Sequence, residues 1–332
     1  MAKIVRFHKL GGPEVLQIED VPLAELGEGE VRLQVKAIGL NRAEVIFREG
    51  MYLETPTFPA RIGYEASGIV DAVGPGVNNI RVGDKVSTLT AFKMSKYGVY
   101  GETAVVPAHA VAHYPDNLSF EEGASIWMQY LTAYGVLIEY GQIKPKHYVL
   151  ITAATSSVGC AAILITKAAG TVAIATTRNP AKKQMLLNSG ADYVIVANEE
   201  DLPTRVIEIT SGHGADLIFD PIAGLFVEKL AAAAAPSATI FIYGFLSMDI
   251  TTTPFPLIPA LSKGLKLQGY TVFELTQNPE KRERGIHYVY NGLKSGILKP
   301  AIDTHIFSLD NIVEAHRYIE SNQQNGKIIV TV

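Results

Sequence analysis

VLITAATSSVGCAAILITKAAG, Val149 to Gly170, decides the fold: an apolar strand runs into a turn of small residues and then into an amphipathic helix. A strand–turn–helix of this kind can cradle a dinucleotide, because the backbone N–H groups and the positive end of the helix face the pyrophosphate. The usual pattern is GxGxxG, with glycines wherever a side chain would keep backbone and phosphate apart. The six positions here are Ala154, Thr155, Ser156, Ser157, Val158 and Gly159, so only the third glycine is kept. Alone, the segment also fits an ordinary corner rich in Ser and Thr.

Its surroundings decide between the two. Apolar, β-rich runs recur at Tyr148–Thr152, Val172–Thr177, Tyr193–Val196, Leu217–Asp220, Thr239–Tyr243 and Leu265–Val272, with helical stretches between them. Continuous apolar character is what strands buried on both faces require, so six such runs predict a doubly wound parallel six-stranded sheet of Rossmann type. The alanine run Ala231–Ala235 favours helix, with Pro236 as its stop. The first half reads differently. Val31–Ile38, Ser67–Val73, Asp84–Leu89 and Gly101–Val106 are short strands between Gly, Pro and Asn clusters, the texture of a small β-barrel. Beyond residue 270 one helical segment, Ser308–Ser321, precedes a terminal strand, Lys327–Val332, expected to pair back into the first domain.

A chain of 332 residues with 48% hydrophobic content can fill two cores. With 29 basic and 33 acidic residues the net charge is −4 and no basic stripe stands out, so nucleic acid and anionic membrane have no electrostatic support as partners. Cys160 is the single cysteine, which excludes an internal disulfide and a cysteine-based zinc cluster and leaves it a packing role beside the cradle. No signal-like opening and no long apolar run is present, so cytoplasmic residence is expected.

From end to end the chain resembles the medium-chain dehydrogenase/reductase superfamily, and most closely its zinc-independent, zeta-crystallin-like branch of quinone oxidoreductases. The resemblance rests on GGPEVLQIEDVPLAELGEGEV from Gly11, GLNRAE at Gly39–Glu44, GYEASGIVDAVGPGV at Gly63–Val77, VGDKV at Val82–Val86, LTAYG at Leu131–Gly135 and GKIIV at Gly326–Val330. It implies an α/β protein: a discontinuous GroES-like β-barrel domain, 1–122 and 271–332, around a Rossmann NADP-binding domain, 123–270. A homodimer is also implied. Zinc-using relatives carry ligands where this chain has Asn41, Tyr64 and a residue near Met128, and Asn, Tyr and Met are poor zinc donors, so no metal is expected. Without zinc to polarise an alcohol, the chemistry turns to conjugated acceptors, whose reduced oxygen hydrogen bonds and water can serve.

The cofactor is read after the second Rossmann strand. No ribose-binding acid stands there, and TTRNPAKK offers Thr177, Arg178 and Lys182 to a 2′-phosphate, which points to NADPH. The cofactor set comprises Ala154, Ser156, Ser157, Val158 and Gly159 with those three. By resemblance it also takes Asn41, Thr132, Phe245, Phe273 and Lys327. The resemblance further nominates Tyr52 as a proton donor or enolate-steadying hydroxyl, Asn41 as an amide donor, and Tyr52 and Tyr64 as substrate-pocket residues; Asn41 equally reads as a turn residue, and the tyrosines as half-buried aromatics. The function expected is NADPH-dependent hydride transfer to a quinone or α,β-unsaturated carbonyl. An enoyl-thioester reductase, or a crystallin-like protein that binds NADPH without turnover, are the alternatives.

Overall fold

The computed structural model describes residues 1–247 and 252–332. The chain divides into two compact units: residues 1–128, 286–294 and 299–332 form the first, and 129–285 with 295–298 the second.

The second unit holds six parallel strands in the order Tyr193–Val196, Val172–Thr177, Tyr148–Ile151, Ala215–Asp220, Ala234–Ile242 and Lys266–Gly269. Numbered along the chain this is 3-2-1-4-5-6, the doubly wound order in which ligands bind at the carboxyl ends of the strands where the order reverses. That switch lies between Tyr148–Ile151 and Ala215–Asp220. Leu150, Ile174, Ile195, Ile218 and Ile240, one from each of five strands, are fully buried in a single cluster, as strands covered on both faces require.

Ala234 and Ala235 are a correction to the propensity reading. The helix Phe226–Ala233 ends before them, and they open the next strand, which passes through Pro236. Ala234 pairs with Ala215, and the register then shifts before Leu217 meets Thr239. Pairing inside a buried sheet outweighs the few tenths of a kcal/mol by which alanine prefers a helix. The irregular ladder also admits Pro236, which has no N–H to give.

The first unit carries two sheets. Gln17–Val21, Ala2–Phe7 and Ala60–Arg61 form one. The other runs Ile302–Ser308, Lys327–Thr331, Glu30–Gly39, Glu65–Val73, Lys85–Thr88 and Val111–His113, with Thr103–Pro107 also paired to Glu30–Gly39. The terminal strand is antiparallel to Glu30–Gly39, Ile329 opposite Gly39, so the end of the chain completes a sheet begun near its start.

Two boundaries lie later than the sequence placed them. The helix Trp127–Tyr134 crosses the first: Glu65 Oε1 accepts the N–H groups of Ile126, Trp127 and Met128 at 3.1, 2.8 and 3.2 Å, which fastens its start to the first unit. The second boundary moves from 270 to 285 because the helix Pro279–Lys294, missing from the sequence reading, begins in the second unit, where Arg284 pairs with Glu139 at 2.5 Å.

Candidate active site

In the second unit the strand Tyr148–Ile151 leads through Thr152–Thr155 to Ser156, the N-cap of the helix Ser157–Ala168. Ser156 Oγ accepts the N–H of Gly159 at 3.0 Å. The amides of Ser157 and Val158 lie in the first helical turn, where no intrahelical acceptor exists. Ala154 is buried and Thr155–Val158 are half-exposed, so the turn faces outward while its root is packed. Gly159 is required by a close approach: a Cβ there would stand 2.5 Å from Ala154 Cα and 2.6 Å from Ala154 O, both backbone atoms that cannot swing aside. The one glycine retained from the pattern is the one that lets helix and strand pack. Cys160 is buried behind it, its thiol pushed up to about 11 by burial, which keeps it an inert packing group.

At the end of the next strand Thr177 is buried, and its hydroxyl bonds the Asn179 backbone on both sides, accepting from N at 3.1 Å and donating to O at 3.3 Å. Arg178 is exposed. Its carbonyl accepts from Asn198 Nδ2 at 3.2 Å, which ties the corner to the neighbouring strand end. The charge of Lys182 pulls the Cys160 thiol down against the effect of burial. Asp220, at the end of the fourth strand, is a structural acid that the sequence reading missed. It accepts from Thr152 Oγ1 at 2.5 Å and from the N–H groups of Ile222 and Ala223, fixing a turn in which Ala223 has a φ of 60°.

In the first unit Tyr52 is half-buried and Tyr64 fully buried, with ring centroids 6.2 Å apart and hydroxyls within hydrogen-bonding reach. Tyr64 donates to Glu54 Oε1 at 2.9 Å. The same carboxylate accepts from Met94 N at 2.8 Å, Ser95 Oγ at 2.7 Å and Ser95 N at 3.4 Å. Burial raises both phenols, Tyr52 to about 12, so both stay protonated at neutral pH.

Asn41 and Lys327 belong to one buried polar network. Asn41 caps the helix Arg42–Arg48, and both its Nδ2 hydrogens are engaged, by Gly39 O at 3.2 Å and Glu44 Oε1 at 3.0 Å. Its Oδ1 accepts from Lys327 Nζ at 2.5 Å, and the same ammonium meets Glu65 Oε2 at 2.5 Å. Lys327 and Glu65 are each 1% exposed. The amide thus has no donor to offer a ligand, and the lysine is committed to a buried ion pair. The residue the sequence reading missed is Glu44, although Asn41-x-x-Glu44 has the spacing of a capping box.

Glu44 makes the fold sensitive to pH. Burial raises it from 4.5 to about 7, against the hydrogen bond from Asn41 and the charge of Lys327. Between those values the folded protein holds a proton that the unfolded chain has released, so stability falls as pH rises, by up to about 1.4 kcal/mol per pH unit. Glu44→Gln carries a constant cost for the hydrogen bonds it loses. The wild-type advantage over it should nevertheless shrink by about 2–3 kcal/mol between pH 4.5 and 7.5 in urea unfolding, and a pH-independent difference would refute the assignment.

The zinc-binding dehydrogenase family matches residues 157–286, and the alcohol dehydrogenase GroES-like domain matches 27–116. A quinone oxidoreductase of Salmonella typhimurium is 32% identical over 337 positions, covering 99% of each chain. The chain belongs to the quinone oxidoreductase family of medium-chain dehydrogenases/reductases. The solved Escherichia coli quinone oxidoreductase, complexed with NADPH, matches with a TM-score of 0.91 at 29% identity and covers all of both chains. A mycobacterial protein complexed with NADPH matches with the same TM-score at 26% identity over all of both chains.

Asn41 is engaged by Lys327, Tyr64 by Glu54, and Met128 Sδ by Thr90 Oγ1 at 3.4 Å. Among the described residues no group of three His, Cys, Asp or Glu side chains is placed to hold a metal ion. Thr132 is buried in the helix Trp127–Tyr134. Phe245 follows the strand Ala234–Ile242 and Phe273 opens the short helix Phe273–Thr276, both half-buried near carboxyl ends of the parallel strands.

Proposed function

We propose that the protein is a zinc-independent, NADPH-dependent reductase of quinones and related conjugated carbonyls. The observation that carries this reading is the Gly159 cradle, a turn that a Cβ would fill, in a chain that matches a quinone oxidoreductase along 99% of its length. The residues present fit the cofactor. Ser157 and Val158 direct first-turn amides at a diphosphate, with Ala154, Ser156 and Gly159 shaping the turn, while Arg178 and Lys182 meet a 2′-phosphate at the corner that Thr177 holds. Thr132, Phe245 and Phe273 are proposed to border the nicotinamide. When bound, NADPH supplies a hydride.

On the acceptor side Tyr52 and Tyr64 form the pocket wall. Asn41 and Lys327 act one step removed: they hold Glu65, which fixes the start of the helix that carries Thr132. No helix among the described residues is long and apolar enough to cross a membrane, which accords with a cytoplasmic enzyme acting on small molecules. A homodimer is supported by the edge strand Lys266–Gly269, paired on one side, beside the helix Leu257–Lys263, whose Ile258 and Leu261 are each 72% exposed.

The cofactor assignment is tested by titration. NADPH should bind at least about tenfold more tightly than NADH, because charge-assisted bonds to phosphate contribute about 1.5–3 kcal/mol each. Arg178→Ala should weaken NADPH by roughly that factor and leave NADH nearly unchanged. Equal affinities in the unmodified protein would exclude the 2′-phosphate reading.

A further inference from the structure

Glu54 is a half-buried carboxylate that accepts four hydrogen bonds, from Tyr64, Met94 and twice from Ser95. A carboxylate has no proton to give, so the direction of every bond around it is fixed. A phenol has one proton. Tyr64 gives its proton to Glu54 Oε1 at 2.9 Å, and toward Tyr52 its oxygen therefore offers lone pairs. The Tyr52 ring lies against Tyr64 at 6.2 Å and against Phe47 at 6.4 Å, edge to face with the latter, and its hydroxyl is within hydrogen-bonding reach of the Tyr64 hydroxyl. Tyr52 must then supply the proton in the bond between the two hydroxyls. Its outward side presents lone pairs.

We infer that Glu54, acting through Tyr64, turns the Tyr52 proton away from the acceptor and so makes the site selective for quinones over simple enones. The inference rests on the reductase function proposed above and on Tyr52 facing the acceptor. In an enone, hydride arriving at the β-carbon forms a C–H bond, the C=C electron pair shifts toward the carbonyl carbon, and the carbonyl π pair moves to the oxygen as an enolate. One proton from solvent then completes the saturated ketone. The oxygen charge grows as hydride arrives, and a donor aimed at it would lower the barrier. A Tyr52 that presents lone pairs gives no such help. A quinone takes the same hydride, whose two electrons make it an aromatic hydroquinone anion, a weaker base that needs less from a donor and takes its one proton from water. Glu54 and Tyr64 are thus positioning residues, and the property they set is the ratio of quinone to enone turnover.

Two variants reverse the direction by different routes. Tyr64→Phe removes the oxygen that accepts the Tyr52 proton. Glu54→Ala removes the acceptor that claims the Tyr64 proton, which can then turn toward Tyr52. Each should raise the ratio of kcat for 2-cyclohexen-1-one to kcat for 1,4-benzoquinone about tenfold or more, a fraction of the roughly 10²–10⁴-fold that a positioned general acid contributes. Adding Tyr52→Phe to either should abolish the gain. Tyr52→Phe alone should leave the enone-to-quinone ratio of turnover within about twofold of wild type, since no proton donor is lost. A fall of about 10²-fold in that single variant would show Tyr52 already donating outward and overturn the inference. So would an unchanged quinone-to-enone ratio in both reversing variants. Failure of the wild type to oxidise NADPH with either acceptor is a separate result and removes the reductase reading itself. Equilibrium binding of hydroquinone separates the two failures: loss of affinity in Tyr52→Phe supports the lone-pair direction without turnover, and unchanged affinity counts against it.

Discussion

Lys327→Met is expected to destabilise the protein by about 3–5 kcal/mol, the cost of breaking a buried ion pair by removing one partner. Its ammonium stands between Glu65 Oε2 and Asn41 Oδ1, each at 2.5 Å, where lysine and glutamate are almost wholly shielded from water. Without it Glu65 keeps three backbone N–H groups and loses its counter-charge. Adding Glu65→Gln removes the stranded charge and should recover a large part of the loss. Urea unfolding of the single and double variants measures both effects. A loss under about 1 kcal/mol combined with a large drop in NADPH affinity would mean instead that the lysine serves the cofactor.

Gly159→Ala is expected to lower NADPH affinity by about 10²-fold or more and to cost about 1–3 kcal/mol of stability, as overpacking does. The added methyl would meet Ala154 Cα at 2.5 Å and Ala154 O at 2.6 Å, so helix and strand must separate and the amides of the cradle move with them. An affinity change that large exceeds what the small loss of stability can impose on a protein that remains folded. Fluorescence titration beside thermal unfolding separates the two effects. Wild-type affinity in this variant would show that the phosphates are held elsewhere.

How far the sequence discloses the molecule follows from the range of the forces involved. The parallel sheet is legible because burial on both faces demands continuous apolar strands, and the need for Gly159 is legible because a close approach excludes every other residue. The helix Pro279–Lys294 is obscured by its own composition: it opens PEKRERG, and its fully buried Val289 and nearly buried Leu293 mark too narrow a stripe to stand out. Ala234 and Ala235 mislead because alanine's helical preference is weaker than a place in the sheet. The polar networks are the least legible part. Lys327 meets Asn41 across 286 residues and Glu65 across 262, and Tyr64 meets Glu54 across a loop, so no local pattern announces either. Those networks engage two residues nominated for ligand contact, Asn41 and Lys327, and they draw in Glu54 and Glu44, which carry no motif for chemistry.

The central claim is that the protein reduces quinones with NADPH and needs no metal, and the most direct measurement is 1,4-benzoquinone-dependent oxidation of NADPH by protein dialysed against a strong chelator, with zinc determined in the same sample by elemental analysis. The account predicts undiminished turnover with well under one zinc per chain. Stoichiometric zinc together with activity that disappears on chelation and returns with added zinc would contradict it.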